Sequence, residues 1–154
     1  MKTLVLYKTK YGSTGQYAKW TAEELRADLA DIRNFDINRL KEYDTIIIGS
    51  PTYMGQIQLK PFLEKNWETL KDRHVYLFTV GMFPSEASAS KKSYEMIPEH
   101  IRNQIGYAKI FGRIDMEKLK LGEKLIAKMA KARTADKVKK SSIDPIIEWV
   151  NNLD

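Results

Sequence analysis

Five short apolar runs, interspersed with five helix-like segments, constrain this chain more than any other feature. Residues 2–8, 32–37, 43–49, 74–80 and 107–114 read as strands. Residues 13–30, 61–70, 90–102, 116–132 and 143–153 read as helices. Ile46-Ile47-Ile48 is a β-branched run without polar alternation, which suits a strand covered on both faces. The 32–37 run alternates only in part and reads as a short edge strand. Ala18, Thr21, Ala22, Leu25 and Leu29 follow the i, i+3, i+4 rhythm of a helix. Pro61 suits a first helical turn, whereas Pro98 bends or ends the helix it falls in. Strands alternating with helices over 154 residues indicate one α/β domain, 1–154, with a doubly wound parallel sheet. Right-handed crossovers place all strand-to-helix turns at one edge, where such sheets bind ligands.

The first of those turns is chemically explicit. Thr9, Lys10, Tyr11, Gly12, Ser13 and Thr14 lie between the first strand and the first helix, followed by Gly15. Backbone N–H groups in such a turn, with the unpaired amides and partial positive charge of a helix start, suit a phosphate. Thr9, Ser13 and Thr14 add hydroxyls, and Gly12 permits close approach or a positive φ. A plain Gly/Ser turn before an N-capped helix fits the same residues. Gly15 is followed by Gln16 and Tyr17 rather than Lys and Ser or Thr, so no Walker A loop is present. Gly12 and Gly15 also fail the G-x-G-x-x-G dinucleotide pattern. A terminal phosphate with no pyrophosphate to wrap is the better match.

Two further turns reach the same edge. Ser50, Pro51, Thr52, Tyr53, Met54 and Gly55 follow the third strand, and Gly81, Met82 and Phe83 follow the fourth. Pro51 stiffens its loop, Gly55 allows a tight reversal, and Tyr53 and Phe83 offer aromatic faces. A phosphate cradle beside two aromatic-bearing loops suits a ligand with a phosphate tail and a flat ring. Tyr53 could instead cap the sheet edge, and Phe83 could fold back onto the core. Trp20, Trp67 and Trp149 fall on helical patterns and read as packing residues, and His74 as structural.

These residues resemble the flavodoxin-like family, which binds FMN at the switch point of its sheet and is an established example of that rule. The resemblance rests on the turn at 9–14 and on Ser50-Pro51-Thr52-Tyr53 with Gly55, and the element order matches over essentially the whole chain. It implies a five-stranded sheet of order 2-1-3-4-5, FMN as cofactor, and Thr9 to Thr14, Ser50 to Gly55 and Gly81 to Phe83 as its contacts. Residues 7–14 and 107–133 look most like the small quinone-linked branch that includes menaquinone-dependent protoporphyrinogen oxidase. Tyr11 stands where many flavodoxins have Thr, and the third loop lacks the Asp and Tyr common in acidic flavodoxins.

Fully reduced flavin tends to be anionic, so nearby carboxylates disfavour it. At an effective dielectric of ~20, a unit charge ~8 Å away is worth about 2 kcal/mol. Residues 50–56 and 81–84 contain no Asp or Glu, with Glu86 just beyond. The expectation is a less reducing flavin suited to a quinone-type acceptor. A soluble electron carrier and a flavin-free interaction module on the same topology are the alternatives. A phospho-receiver would need Asp near the position of Ser50. Residues 84–93, with Ser85, Ser88, Ser90 and Ser93, read as a loop that either covers the ring or is an inert connection.

Composition narrows the remaining chemistry. There is no cysteine, hence no disulfide, thiolate zinc site or cysteine-held cluster, and only two histidines, so no metal centre is expected. No apolar run approaches ~20 residues and no secretory leader is evident, so the cytoplasm is the default location. The net charge of +6 resides in residues 116–140, where nine basic residues face three acidic ones. There Leu119, Leu125, Ile126 and Met129 are expected to face the sheet, with Lys118, Lys124, Lys128 and Lys131 outward. That face is either simply solvated, or attracted to anionic lipid at up to ~1 kcal/mol per basic residue, or to an acidic redox partner. Nucleic acid is not expected, because no stacking aromatics are interleaved. Partners are therefore a redox protein or quinone, and the oligomeric state is open.

Overall fold

The computed structural model describes residues 1–83, 85, 87–114, 116–129 and 135–153. In chain order the strands are β1 (Thr3–Tyr7), β2 (Asp28–Asp31), β3 (Thr45–Tyr53), β4 (Gln56–Ile57), β5 (His74–Gly81), β6 (Ile105–Phe111), β7 (Arg113–Ile114) and β8 (Ala135–Asp136). The α-helices are α1 (Ser13–Leu25), α2 (Lys60–Lys65), α3 (Trp67–Leu70), α4 (Ser88–Glu95), α5 (Glu99–Arg102), α6 (Leu121–Met129) and α7 (Asp144–Asn151). The main sheet runs β2-β1-β3-β5-β6 with every pairing parallel, which is the expected 2-1-3-4-5 order when these five strands are counted alone. β4 folds back antiparallel on the end of β3, and β7 pairs with β8 in a separate ribbon.

Strand alternation divides the core into two layers. Leu4, Leu6, Ile46, Ile48, Val75 and Leu77 face one side, where Leu63, Trp67, Leu70, Ile97 and Ile101 cover them. Val5, Ile47, Tyr76, Phe78 and Val80 face the other, against Tyr17, Ala18, Ala22, Ile146 and Val150. Ile46, Ile47 and Ile48 are all fully buried, as a central strand with helices on both faces requires. Trp149 packs edge-on to Tyr76 with ring centroids 5.1 Å apart.

Several boundaries depart from the sequence reading. α1 ends at Leu25 rather than at residue 30, because Arg26 adopts a left-handed conformation (φ 52°) and turns the chain. The edge strand is therefore Asp28–Asp31, and Ile32–Asn34 and Ile37–Glu42 are 3-10 turns. The 61–70 helix is two short helices, and Pro98 separates α4 from α5. Strand 107–114 is β6, which begins at Ile105, plus the separate β7. The segment expected as a loop at 84–93 is helical from Ser88, with Ser90 and Ser93 buried; Pro84 and Glu86 lie outside the described residues.

Of the residues in and just before α6 expected to face the sheet, Leu125 is 62% exposed and Leu119 half-buried, and the side chains of Ile126 and Met129 lie outside the described set. Glu123 is buried, Lys124 half-buried, and Leu121 86% exposed. Lys118 and Lys128 are exposed as expected, and residues 130–134 lie outside the described set.

Gly49 marks a tight contact between the central strands. A Cβ there would lie 2.3 Å from Cζ of Phe78, its parallel neighbour on β5. Gly49→Ala is expected to lose about 1–3 kcal/mol by overpacking, read as a lower urea midpoint at unchanged slope.

Candidate cofactor site

β1 and α1 are joined by the hydroxyl-rich turn. Gly12 has φ 94°, which an L side chain rarely adopts, and its N–H donates to Thr9 Oγ1 at 3.1 Å. Gln16 N donates to Gly12 O at 3.0 Å. The amides of Ser13, Thr14 and Gly15 precede that bond and have no carbonyl one turn back inside the helix. They form the electropositive end of a 13-residue helix, the standard arrangement for an anion. A Cβ built on Gly12 would meet only Arg113 Nη1, at 4.0 Å, so a guanidinium stands beside the turn. Arg113 Nε donates to Asp136 Oδ2 at 3.0 Å across the β7–β8 ribbon, which fixes its direction.

The second connection is not a loose loop. β3 continues through Ser50, Pro51, Thr52 and Tyr53, then reverses at Met54 (φ 51°) and Gly55 (φ 77°). Ser50 is fully buried; its hydroxyl accepts from Leu59 N at 2.9 Å and donates to Pro51 O at 3.0 Å. It anchors the hairpin rather than facing outward. Ser93 Oγ of α4 lies within hydrogen-bond distance of Gly55 O, so a helix braces the reversal. Met54 is exposed, and Pro51, Thr52 and Tyr53 are half-buried. In the third connection Gly81 and Met82 are half-buried and Phe83 is 48% exposed.

Side chains tie the three connections together. Lys10 Nζ sits 3.6 Å from the Tyr53 ring centroid, joining the first to the second by a cation–π contact. Lys109, on β6, donates from Nζ to Thr52 Oγ1 at 3.1 Å, and a Cβ on Gly81 would lie 2.7 Å from that nitrogen. Burial pushes the Lys109 ammonium down to about 8. It joins the second connection to the third.

α6 closes over the first turn through Glu123. Its Oε2 accepts from Tyr11 OH at 2.6 Å and pairs with Lys10 Nζ at 3.2 Å. Burial opposes the charge on Glu123, but Tyr11 and Lys10 hold its pKa below the usual carboxylate value. Partial burial, then the Glu123 hydrogen bond and charge, push Tyr11 up to about 12.

Lys109, Arg113 and Glu123 were not among the residues singled out from sequence. Lys109 carried a weak signal, a lone cation alternating with Tyr107 and Phe111 along an apolar strand. Glu123 carried none, since its partners lie 112 or more residues earlier in the chain. Among the described residues, no group of three or more His, Asp or Glu could hold a metal ion.

Because Glu123 is depressed in the folded state, its stabilisation is complete above the unfolded carboxylate pKa and fades as pH falls through the folded one. Hydrogen exchange in α6 should accordingly lose protection on acidification. Glu123→Ala is expected to lower that protection by about 1.5–3 kcal/mol near neutral pH and to abolish its acid dependence.

The flavodoxin-domain family model matches residues 4–141. An uncharacterized protein of Methanocaldococcus jannaschii is 33% identical over 87 residues, 54% of this chain and 57% of that protein. Protoporphyrinogen IX dehydrogenase [quinone] of Escherichia coli K12 is 26% identical over 104 residues, 61% of this chain and 58% of that protein. The aligned part thus spans less than three-fifths of the length of either curated relative. The flavodoxin of Streptococcus pneumoniae TIGR4 superposes with a TM-score of 0.58 at 12% identity, over 99% of this chain and 97% of that one, a likeness of fold alone. With a family match over most of its length, the chain belongs to the flavodoxin-domain family, the FMN-binding family its sequence resembles.

Proposed function

We propose that this protein binds FMN at the edge formed by its three connections and transfers electrons as an oxidoreductase with a quinone-type acceptor. The observation that carries the proposal is the convergence of an anion-binding helix start with two further connections, the second tied to the first by Lys10 and to the third by Lys109. The residues fit the cofactor. Gly12 leaves open space beside Arg113, the donors of residues 13–15 suit a phosphate, and Tyr53 and Phe83 offer partly exposed aromatic faces.

In this reading Thr9, Lys10, Tyr11, Gly12, Ser13 and Thr14 hold the phosphate. Thr52, Tyr53, Met54 and Gly55 flank the ring on one side, and Gly81, Met82 and Phe83 on the other. Ser50 and Pro51 fix the hairpin that presents Tyr53. When bound, flavin supplies the electron-transfer chemistry, and the protein supplies orientation and electrostatics. Neither flanking connection places a carboxylate among residues 50–56 or 81–83, so those two segments add no negative charge against a reduced, anionic ring. The quinone acceptor draws support from the name of the Escherichia coli relative.

Fluorescence titration tests the site. Added FMN should be quenched with an affinity about a hundredfold above that of riboflavin, the worth of roughly 3 kcal/mol of charge-assisted hydrogen bonds. Equal affinities, or no quenching, would contradict the phosphate assignment. Turnover of the loaded protein with a soluble naphthoquinone separates an oxidoreductase from a carrier, which would show slow, non-saturating transfer.

The exposed Leu121 and Leu125 among lysines of α6 support peripheral contact with an anionic bilayer, where a lipid-soluble quinone resides. Co-sedimentation with anionic vesicles should exceed that with zwitterionic ones and fall in a Leu121→Ser, Leu125→Ser double variant. Among the described residues, no helix is long and apolar enough to cross a membrane.

A further inference from the structure

Lys109 is a cation that the sheet itself has no use for. It lies on the edge strand β6 opposite Thr79 of β5, two positions before the last pair, Gly81 with Phe111, and its side chain reaches across the end of β5 to β3. Its ammonium donates to Thr52 Oγ1 and crosses the bare face of Gly81, where a side chain would collide with it. Among the described residues no carboxylate pairs with it. A shielded charge with no counter-ion is costly, and an ammonium has three protons, of which the Thr52 bond uses one. The site therefore holds two unspent donors and one uncompensated positive charge between the two connections that flank the ring.

Resting on the FMN reading above, we propose that Lys109 is the charge-compensating residue of the flavin site, selecting the reduced, anionic ring over the oxidised, neutral one. Thr52 is its positioning partner, and the ammonium lies 2.7 Å from where a Cβ on Gly81 would stand. The absence of acidic residues from the flanking connections and the presence of Lys109 then act in one direction.

The test compares wild type with Lys109→Met, Lys109→Gln and Lys109→Arg, each reconstituted with FMN. Dissociation constants for oxidised FMN, combined with midpoint potentials from spectroelectrochemistry, give the affinity for the reduced form by a thermodynamic cycle. Met and Gln should each weaken reduced FMN about tenfold more than oxidised FMN, which lowers a two-electron potential by ~30 mV. Arg should stay within about threefold of wild type. A neutral variant that keeps the wild-type ratio would overturn the proposal, as would Gln behaving like wild type while Met does not, since hydrogen bonding rather than charge would then be responsible. Should the neutral variants fail to fold, the wild type still decides. The Lys109 Cε resonance should shift on reduction of bound FMN, and an unchanged resonance would overturn the proposal. Failure of wild type to bind FMN at all is a different result, which removes the cofactor reading and Lys109's role with it.

Discussion

Parallel pairing of β3 between β1 and β5 is the constraint on which the rest of this molecule depends. Its register sets Tyr7 opposite Gly49 and Gly49 opposite Phe78, so the three strands leave the core at one level. Phe78 fills the space above Gly49, which locks that level sterically. Because Ile46, Ile47 and Ile48 are buried on both faces, hydrophobic burial alone would tolerate a one-residue slip, and the fit of Phe78 over Gly49 is what fixes the register. The turn at residues 8–12, the Tyr53 hairpin and residues 81–83 are brought together by that single alignment.

Electrostatics then refine what topology supplies. The start of α1, Arg113 and Lys10 give the first turn a positive character suited to a phosphate, while Glu123 supplies one carboxylate that binds α6 to it. Lys109 adds a second positive position on the other layer of the sheet edge, well separated in sequence from the first. The two cations flank Tyr53 and Thr52, adjacent residues of β3 that point to opposite faces. On the proposed reading, a ligand negative at its phosphate and able to become negative at its ring would meet both.

The sheet and the three connections were legible in the sequence because their signals are local, whereas the strand order followed from the resemblance to the flavodoxin-like family. Apolar β-branched runs mark buried strands, and hydroxyl and glycine clusters mark turns. The boundaries were less legible. No propensity rule would place Arg26 in a left-handed conformation, and that one residue moves β2 from 32–37 to Asp28–Asp31. Ser50 read as a loop hydroxyl, but β3 runs on past it and spends it on the hairpin. Leu125 was misread for a physical reason. Its apolar side chain suggested a core contact, yet it is exposed while Glu123, two residues earlier, is buried with two polar partners. Long-range pairs such as Lys109 with Thr52 leave no trace in either segment's pattern.

A crystal structure of the protein grown with FMN tests most directly whether the three connections form one site. The phosphate is expected against the amides of Ser13, Thr14 and Gly15, with the ring beside Tyr53 and within reach of Lys109. FMN density at any other surface, or none at saturating concentration, would contradict that account.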